Sequence, residues 1–422
     1  MEDASFLFPS HAILVASRHN QSFFRMDKKQ KIVVAVLSVL VALAIAYFTV
    51  GRDFLRKSGV SPIQIENGAV QPSGPLNAGN VSPISGLACD NWNRRPFAFM
   101  QPVDVQARPV AGFSQADMVF EMPNPAEGIF VTRLMGVYLC TMPTEIGALR
   151  SARHDYIALA KGLDAVFVGW GGSAFAIQKL NEGVIDNIDC NGQGGKKAPQ
   201  CCFRKDRTGL MRVEDTGYAK GDAILSCAKE FGYSSTDTFS GYPHQAEATE
   251  ADRPTGGYLR VGYPGVMKAE YAYDKPSNSY LRTWGGTADT DRNNGQRIAP
   301  KNIVVMTAEN EQIMADVNYT ARGVQDPWAN LPDGEKTGPT NISGRYNNLQ
   351  IGDPWFDTTD SGSAQFFFNG KKIDGTWKKS KASADSKLTF YDNAGKEVQF
   401  VPGQIWVEVV IPGMAVEWTP QA

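Results

Sequence analysis

The chain has 422 residues, room for two or three domains with sizeable cores, so a small disulfide scaffold is excluded. Hydrophobic residues make up 42%, charged residues 20% and aromatics 10%, which excludes a disordered or fibrous protein. Lys and Arg number 42 against 44 Asp and Glu, but this formal −2 averages a basic +4 over residues 1–57 with −6 over the remainder; a net-acidic body argues against nucleic acid as the partner.

Residues 32–50 (IVVAVLSVLVALAIAYFTV) run without a charge for about the length of a bilayer's hydrocarbon core, and predict a transmembrane helix. Five basic residues precede this segment and three follow it. The positive-inside tendency therefore predicts a cytoplasmic tail at 1–31 and an extracytoplasmic body. Met26, followed by Asp-Lys-Lys-Gln-Lys, has the pattern of an internal translation start. Residues 51–82 have the Gly, Pro, Ser and Asn content of a flexible linker.

Short apolar runs begin near Pro83. Residues 117–122 and 129–140 read as buried strands, Ser151 as the opening of a helix, 164–170 as another strand, and 174–181 as a second helix. Strand, helix, strand, helix is the order of a parallel βαβ unit, so the expected fold class is α/β: a layered sandwich domain over 83–264. Within it, 190–260 reads as an irregular insertion that holds four of the six cysteines, and Cys190, Cys201, Cys202 and Cys227 are placed to staple it. With no C-x-x-C pair and only four His, neither a metal centre nor a cofactor is expected. From 265 to 415 the signals are those of a second, mostly antiparallel β domain. They include a hairpin at Asn369-Gly370 and a closing strand over 404–411 with one buried face.

The candidate site lies at two corners. Arg150, Ser151 and Arg153 stand at the first expected helix start, with Ser151 as its cap; Gly171, Gly172 and Ser173 form the second corner. If the strands are parallel, both corners share one carboxyl edge, where helix N-termini and guanidiniums suit an anion. Arg133 is a further member, and Glu121, costly to bury alone, is expected to contact an arginine. A purely structural reading pairs these arginines with Glu121, Glu127, Asp186 or Asp189. His154 is expected on a helix surface. No G-x-S-x-G, Walker A or H-E-x-x-H motif is present, so no standard enzyme class is indicated.

Ordered motifs carry a family resemblance. Pro83 to Leu87, Asn93 to Pro96, Ala107 to Pro109, Ala116 to Glu121, Glu127 to Met135, Gly147 to Arg153 and Gly171 to Ser173 resemble the N-terminal domain of the YerB-like family of bacterial envelope proteins. Asn302 to Val305, Gly375 to Lys379, Phe390 to Asp392 and Pro402 to Trp406 resemble its C-terminal β domain. The resemblance spans about 83–411 and implies a two-domain extracytoplasmic protein. Two features depart from the family pattern: Phe203 to Arg207 runs into Thr208 to Met211 where the family has a Lys-Ala-Pro-His-Asn stretch, and the lipid-bearing cysteine is missing. The expected function is membrane-anchored binding of an anionic envelope polymer or a protein partner. Two alternatives stand beside it. One is an envelope phosphotransferase or hydrolase on phosphorylated glycan carriers, by analogy with LytR-CpsA-Psr enzymes. The other is a scaffold using Trp355, Phe356 or Trp377 as exposed anchors.

Overall fold

The computed structural model describes residues 80–124, 130–209, 211–312, 347–349, 351–354 and 359–421. Its centre is a ten-stranded mixed sheet. In spatial order the strands are Thr389–Asp392, Lys371–Lys378, Ser361–Phe368, Asn302–Thr307, Ile405–Val410, Met118–Pro123, Thr132–Tyr138, Phe97–Gln101, Val166–Gly169 and Asn187–Asp189. Strands from both halves of the chain thus share one sheet. The join is the strand Ile405–Val410, parallel to Asn302–Thr307 on one side (Val304 opposite Val407) and to Met118–Pro123 on the other (Phe120 opposite Val407).

Alternation along the strands feeds two cores. Met118, Phe120 and Met122 point to one face, with Tyr156, Ile157 and Ala160 of the helix His154–Lys161 and Ala176 and Leu180 of the helix Ala174–Asn181. Val119, Val305 and Trp406 point to the other, against Leu259, Tyr271 and Tyr280. Those last three belong to a five-stranded antiparallel sheet: Thr287–Ala288, Ser279–Trp284, Ala269–Asp274, Gly256–Val261 and Val416–Gln421.

The expected α/β class is corrected by this architecture. The protein is mostly β, with twenty strands and three α-helices of eight, eight and ten residues among the described residues. One βαβ unit does form: Val166–Gly169 pairs in parallel with Asn187–Asp189 across the helix Ala174–Asn181. The other does not. Phe97–Gln101 inserts between Thr132–Tyr138 and Val166–Gly169, antiparallel to the first and parallel to the second, so those two strands run in opposite directions. The expected transmembrane helix also finds no support. Among the described residues no helix is long and apolar enough to cross a membrane, and residues 32–50 lie outside them.

Several local expectations are revised. Residues 190–260 are not irregular: they hold the strands Cys202–Arg204 and Gly217–Ala219 and the ten-residue helix Gly221–Glu230. The closing strand is buried along its whole length on both faces, because Ile405, Val407 and Val409 enter one core and Trp406 and Val410 the other. Trp377 is fully buried, its Nε1 donating to the Thr307 carbonyl at 2.8 Å, so it is no surface anchor; Trp355 and Phe356 lie outside the described residues. The Asn369-Gly370 hairpin forms as expected, with φ of 52° and 68° at the two turn residues. All six cysteines are bridged, as Cys89–Cys140, Cys190–Cys202 and Cys201–Cys227.

Candidate functional site

One end of the large sheet gathers the arginines. Leu134 pairs with Gln101 in the antiparallel ladder, so Arg133 lies at the end where Phe97–Gln101 finishes, which is also where its parallel neighbour Val166–Gly169 finishes. The segment 150–152 then runs back between them. Arg150 N donates to the Met100 carbonyl (2.8 Å), Trp170 N to the Arg150 carbonyl (3.0 Å) and Ala152 N to the Gly171 carbonyl (2.8 Å). The two corners are therefore joined by backbone, although the strands assumed to bring them together are antiparallel.

Arg133 is 6% exposed and Arg153 9%, whereas Arg150 and Ser151 are partly open to solvent. Arg150 has acidic company: Asp104 at 3.4 Å and Asp215 at 3.6 Å, both also bound by Arg212. Arg153 donates from Nε to Asn124 Oδ1 (3.2 Å) and from Nη1 to the Ala152 carbonyl (2.9 Å). Arg133 reaches only the Ser151 carbonyl, at 3.4 Å, and its Nε is buried without a partner among the described residues. Burial holds the Arg133 guanidinium well below its ordinary pKa, and the charges of Arg153 and Arg150 push it down further. Three guanidiniums thus converge, and among the described residues the Nε of one of them has no partner.

The glycine corner shapes this cluster more than it offers donors. Gly171 N donates to Asp189 Oδ1 (2.7 Å), Gly172 N to Gln193 Oε1 (3.3 Å) and Ser173 N to the Ala152 carbonyl (3.1 Å). Gly171 has φ +66°, and a Cβ there would stand 2.1 Å from Gln193 Oε1. Ser173 is the N-cap of the helix Ala174–Asn181, but its hydroxyl makes no capping bond and is buried without a partner among the described residues. Ser151 is not the cap of its helix; that helix opens at His154 with Arg153 in the N-cap position. His154 is buried against Phe175, not on the surface.

Glu121 stands apart from the cluster. Its side chain faces the five-stranded sheet, where it accepts from Thr132 Oγ1 at 2.5 Å and pairs with Arg282, a fully buried guanidinium that also pairs with Asp289. Glu408, fully buried, accepts from the Tyr271 hydroxyl and lies 4.0 Å from Arg282 Nε. Burial, and then the charge of Glu121, raise its pKa to about 8, so it is mostly protonated at neutral pH. Of the other acids considered for the arginines, Asp189 binds the backbone of its own loop (Asn191 N, Gln193 N, Gly194 N) and Asp186 pairs with Arg95; Glu127 lies outside the described residues. Arg282, Asp289 and Glu408 were not legible as a site. The available signal was a single acid in the apolar run of the closing strand.

Fold and site together define a mostly β, disulfide-stapled protein in which two sheets clasp a buried ionic network and a recessed arginine cluster sits at one sheet end. The chain matches the N-terminal domain of a protein of unknown function (DUF3048) over residues 84–234 and the C-terminal domain of the same family over 259–407, and it belongs to that family. It is 27% identical over 338 residues to "Putative lipoprotein YerB" of Bacillus subtilis (strain 168), covering 78% of this chain and 86% of that protein. The crystal structure of YerB from Bacillus subtilis is similar to it with a TM-score of 0.61 and 25% identity, over 80% of this chain and 99% of that one.

Proposed function

We propose that this is a membrane-associated, extracytoplasmic envelope protein that binds an anionic group at Arg133, Arg150 and Arg153. Three disulfides suit an oxidising compartment, and the lipoprotein name of its Bacillus subtilis relative suits attachment at the cell surface. The observation that carries the reading is Arg133: a guanidinium buried beside two others with no carboxylate paired to it among the described residues. Such an arrangement is unfavourable by itself and is relieved by a phosphate or carboxylate, which accepts from the planar fork.

The test is thermal stabilisation of the full-length protein in detergent by inorganic pyrophosphate and by poly-glutamate. Wild type gains melting temperature with one of these probes, and Arg133→Gln and the Arg150→Ala/Arg153→Ala pair lose that gain. Equal gains in wild type and variants, or none in wild type, overturn the reading.

A further inference from the structure

Large apolar side chains are seldom left open to solvent on this protein. Among the described residues five are exposed, and the three most exposed are Val213 (68%), Val105 (57%) and Val266 (52%). Exposed apolar residues scattered singly are ordinary, whereas a contiguous patch marks a binding surface. These three are not scattered. Each sits in a short 3-10 turn, Val105–Ala107, Val213–Asp215 or Gly265–Met267.

Side chains fasten the three turns to one another through the segment 103–109. Arg108 Nη2 donates to the carbonyls of both Val103 and Val266, at 2.9 Å each, which ties the segment to the turn carrying Val266. The Arg108 guanidinium is itself pinned 3.4 Å over the Trp284 ring. Arg212 pairs with Asp104 at 2.6 Å and with Asp215 at 2.9 Å, which ties the same segment to the turn carrying Val213. Arg292 donates to the carbonyls of Pro109 (2.8 Å) and Ala107 (3.3 Å). The face is thus preformed, and docking costs it little ordering entropy.

Its charge is opposite in sign to that of the body. Arg108, Arg150, Arg212 and Arg292 stand around the turns against Asp104, Glu214 and the buried Asp215, whereas the chain beyond residue 57 is net acidic. Arg212 is 45% exposed, and Arg292 makes no ion pair among the described residues, its fork ending on backbone carbonyls.

We propose that this face docks on the surface of an anionic lipid bilayer, with Val105, Val213 and Val266 entering the boundary between headgroups and acyl chains and Arg212 and Arg292 meeting lipid phosphates. Aliphatic groups on three separate turns form neither a groove for a helix nor a strand edge for a peptide. A fluid apolar layer takes all three at once, and interfacial binding combines buried apolar area with attraction to anionic lipid. Docking depends on the envelope location proposed above, not on an anion at Arg133.

The experiment is amide hydrogen exchange of the full-length protein in detergent, with phosphatidylcholine vesicles, and with vesicles containing about 30% phosphatidylglycerol, repeated on Val105→Asp/Val213→Asp/Val266→Asp and on Arg133→Gln. Exchange at 104–108, 212–216 and 264–268 that is slowed about fivefold or more by the anionic vesicles, less by the neutral ones, and less again in added salt supports the face. The slowing is lost in the triple variant, whose exposed substitutions leave the melting curve unchanged, and kept in Arg133→Gln, so the anion site can fail while this face stands. Equal exchange in detergent and with anionic vesicles overturns the proposal and leaves the face to a protein partner. Equal slowing by both kinds of vesicle, or slowing that survives in the triple variant, overturns it as well. So does slowing in detergent that grows with protein concentration, which assigns the face to a second copy of the chain.

Discussion

Arg133 and Glu408 are both buried titratable groups whose burial opposes their charge, and they make opposite demands on an experiment. Arg133 holds its charge against desolvation and two like neighbours. Arg133→Met removes that charge while keeping most of the stem, so the unliganded protein should gain about 1 kcal/mol in chemical unfolding. A loss of similar size would mark Arg133 as structural. Glu408 resolves the same conflict by taking up a proton. Its folded pKa, about 8, lies above the ordinary glutamate value of 4.5, so the folded state binds the proton more tightly than the unfolded chain. Its contribution is complete below about pH 4.5 and declines as pH rises through 8. Glu408→Gln keeps the polar contact with Tyr271 but cannot ionise. The difference in melting temperature between wild type and this variant should shift in the variant's favour from pH 5 to pH 8.5, and parallel curves would refute the assignment.

At the scale of elements, the corners of the sheet matter more than its strands. Gly171 sits at positive φ directly against Gln193, whereas Gly183, also at positive φ (+70°), has nothing within 4 Å of an added Cβ. Gly183→Ala therefore measures backbone strain alone, about 1 kcal/mol, and Gly171→Ala should cost more because Gln193 must also yield. Equal losses in a denaturant titration would show that the Gln193 contact is dispensable. The Cys89–Cys140 bridge closes the longest of the three disulfide loops, 51 residues. Replacing both cysteines with serine should lower stability by about 3 to 4 kcal/mol, read from the shift in denaturant midpoint. These local elements were the readable part of the sequence. Asn369-Gly370 carries its turn type in two adjacent residues, and 147–153 and 171–173 were recognisable as corners because their chemistry is contiguous. The Glu121–Arg282 pair joins residues 161 positions apart, and no spacing rule reaches that far.

For the whole molecule the governing fact is interleaving. The sheet order could not be read from the sequence because strand pairing depends on long-range register, and the apolar run at 404–411 looks the same whether one face or both are covered. Met118–Pro123 is buried at every position and pairs along one edge with Ile405–Val410. A fragment of residues 80–264 should accordingly be poorly folded alone and regain a protected core when co-expressed with 265–422, as followed by amide hydrogen exchange. A stable, well-dispersed spectrum from the first fragment by itself would contradict this.

That interleaving also sets a timetable for biosynthesis. The chain makes the inner strand Met118–Pro123 early and its parallel neighbour near the end, so an apolar strand edge stays open through most of synthesis. An open edge of that kind invites pairing with other chains. The nascent protein therefore has reason to need a holding chaperone, and truncations that spare every residue of both proposed sites but remove 405–410 should aggregate before they could be tested for binding.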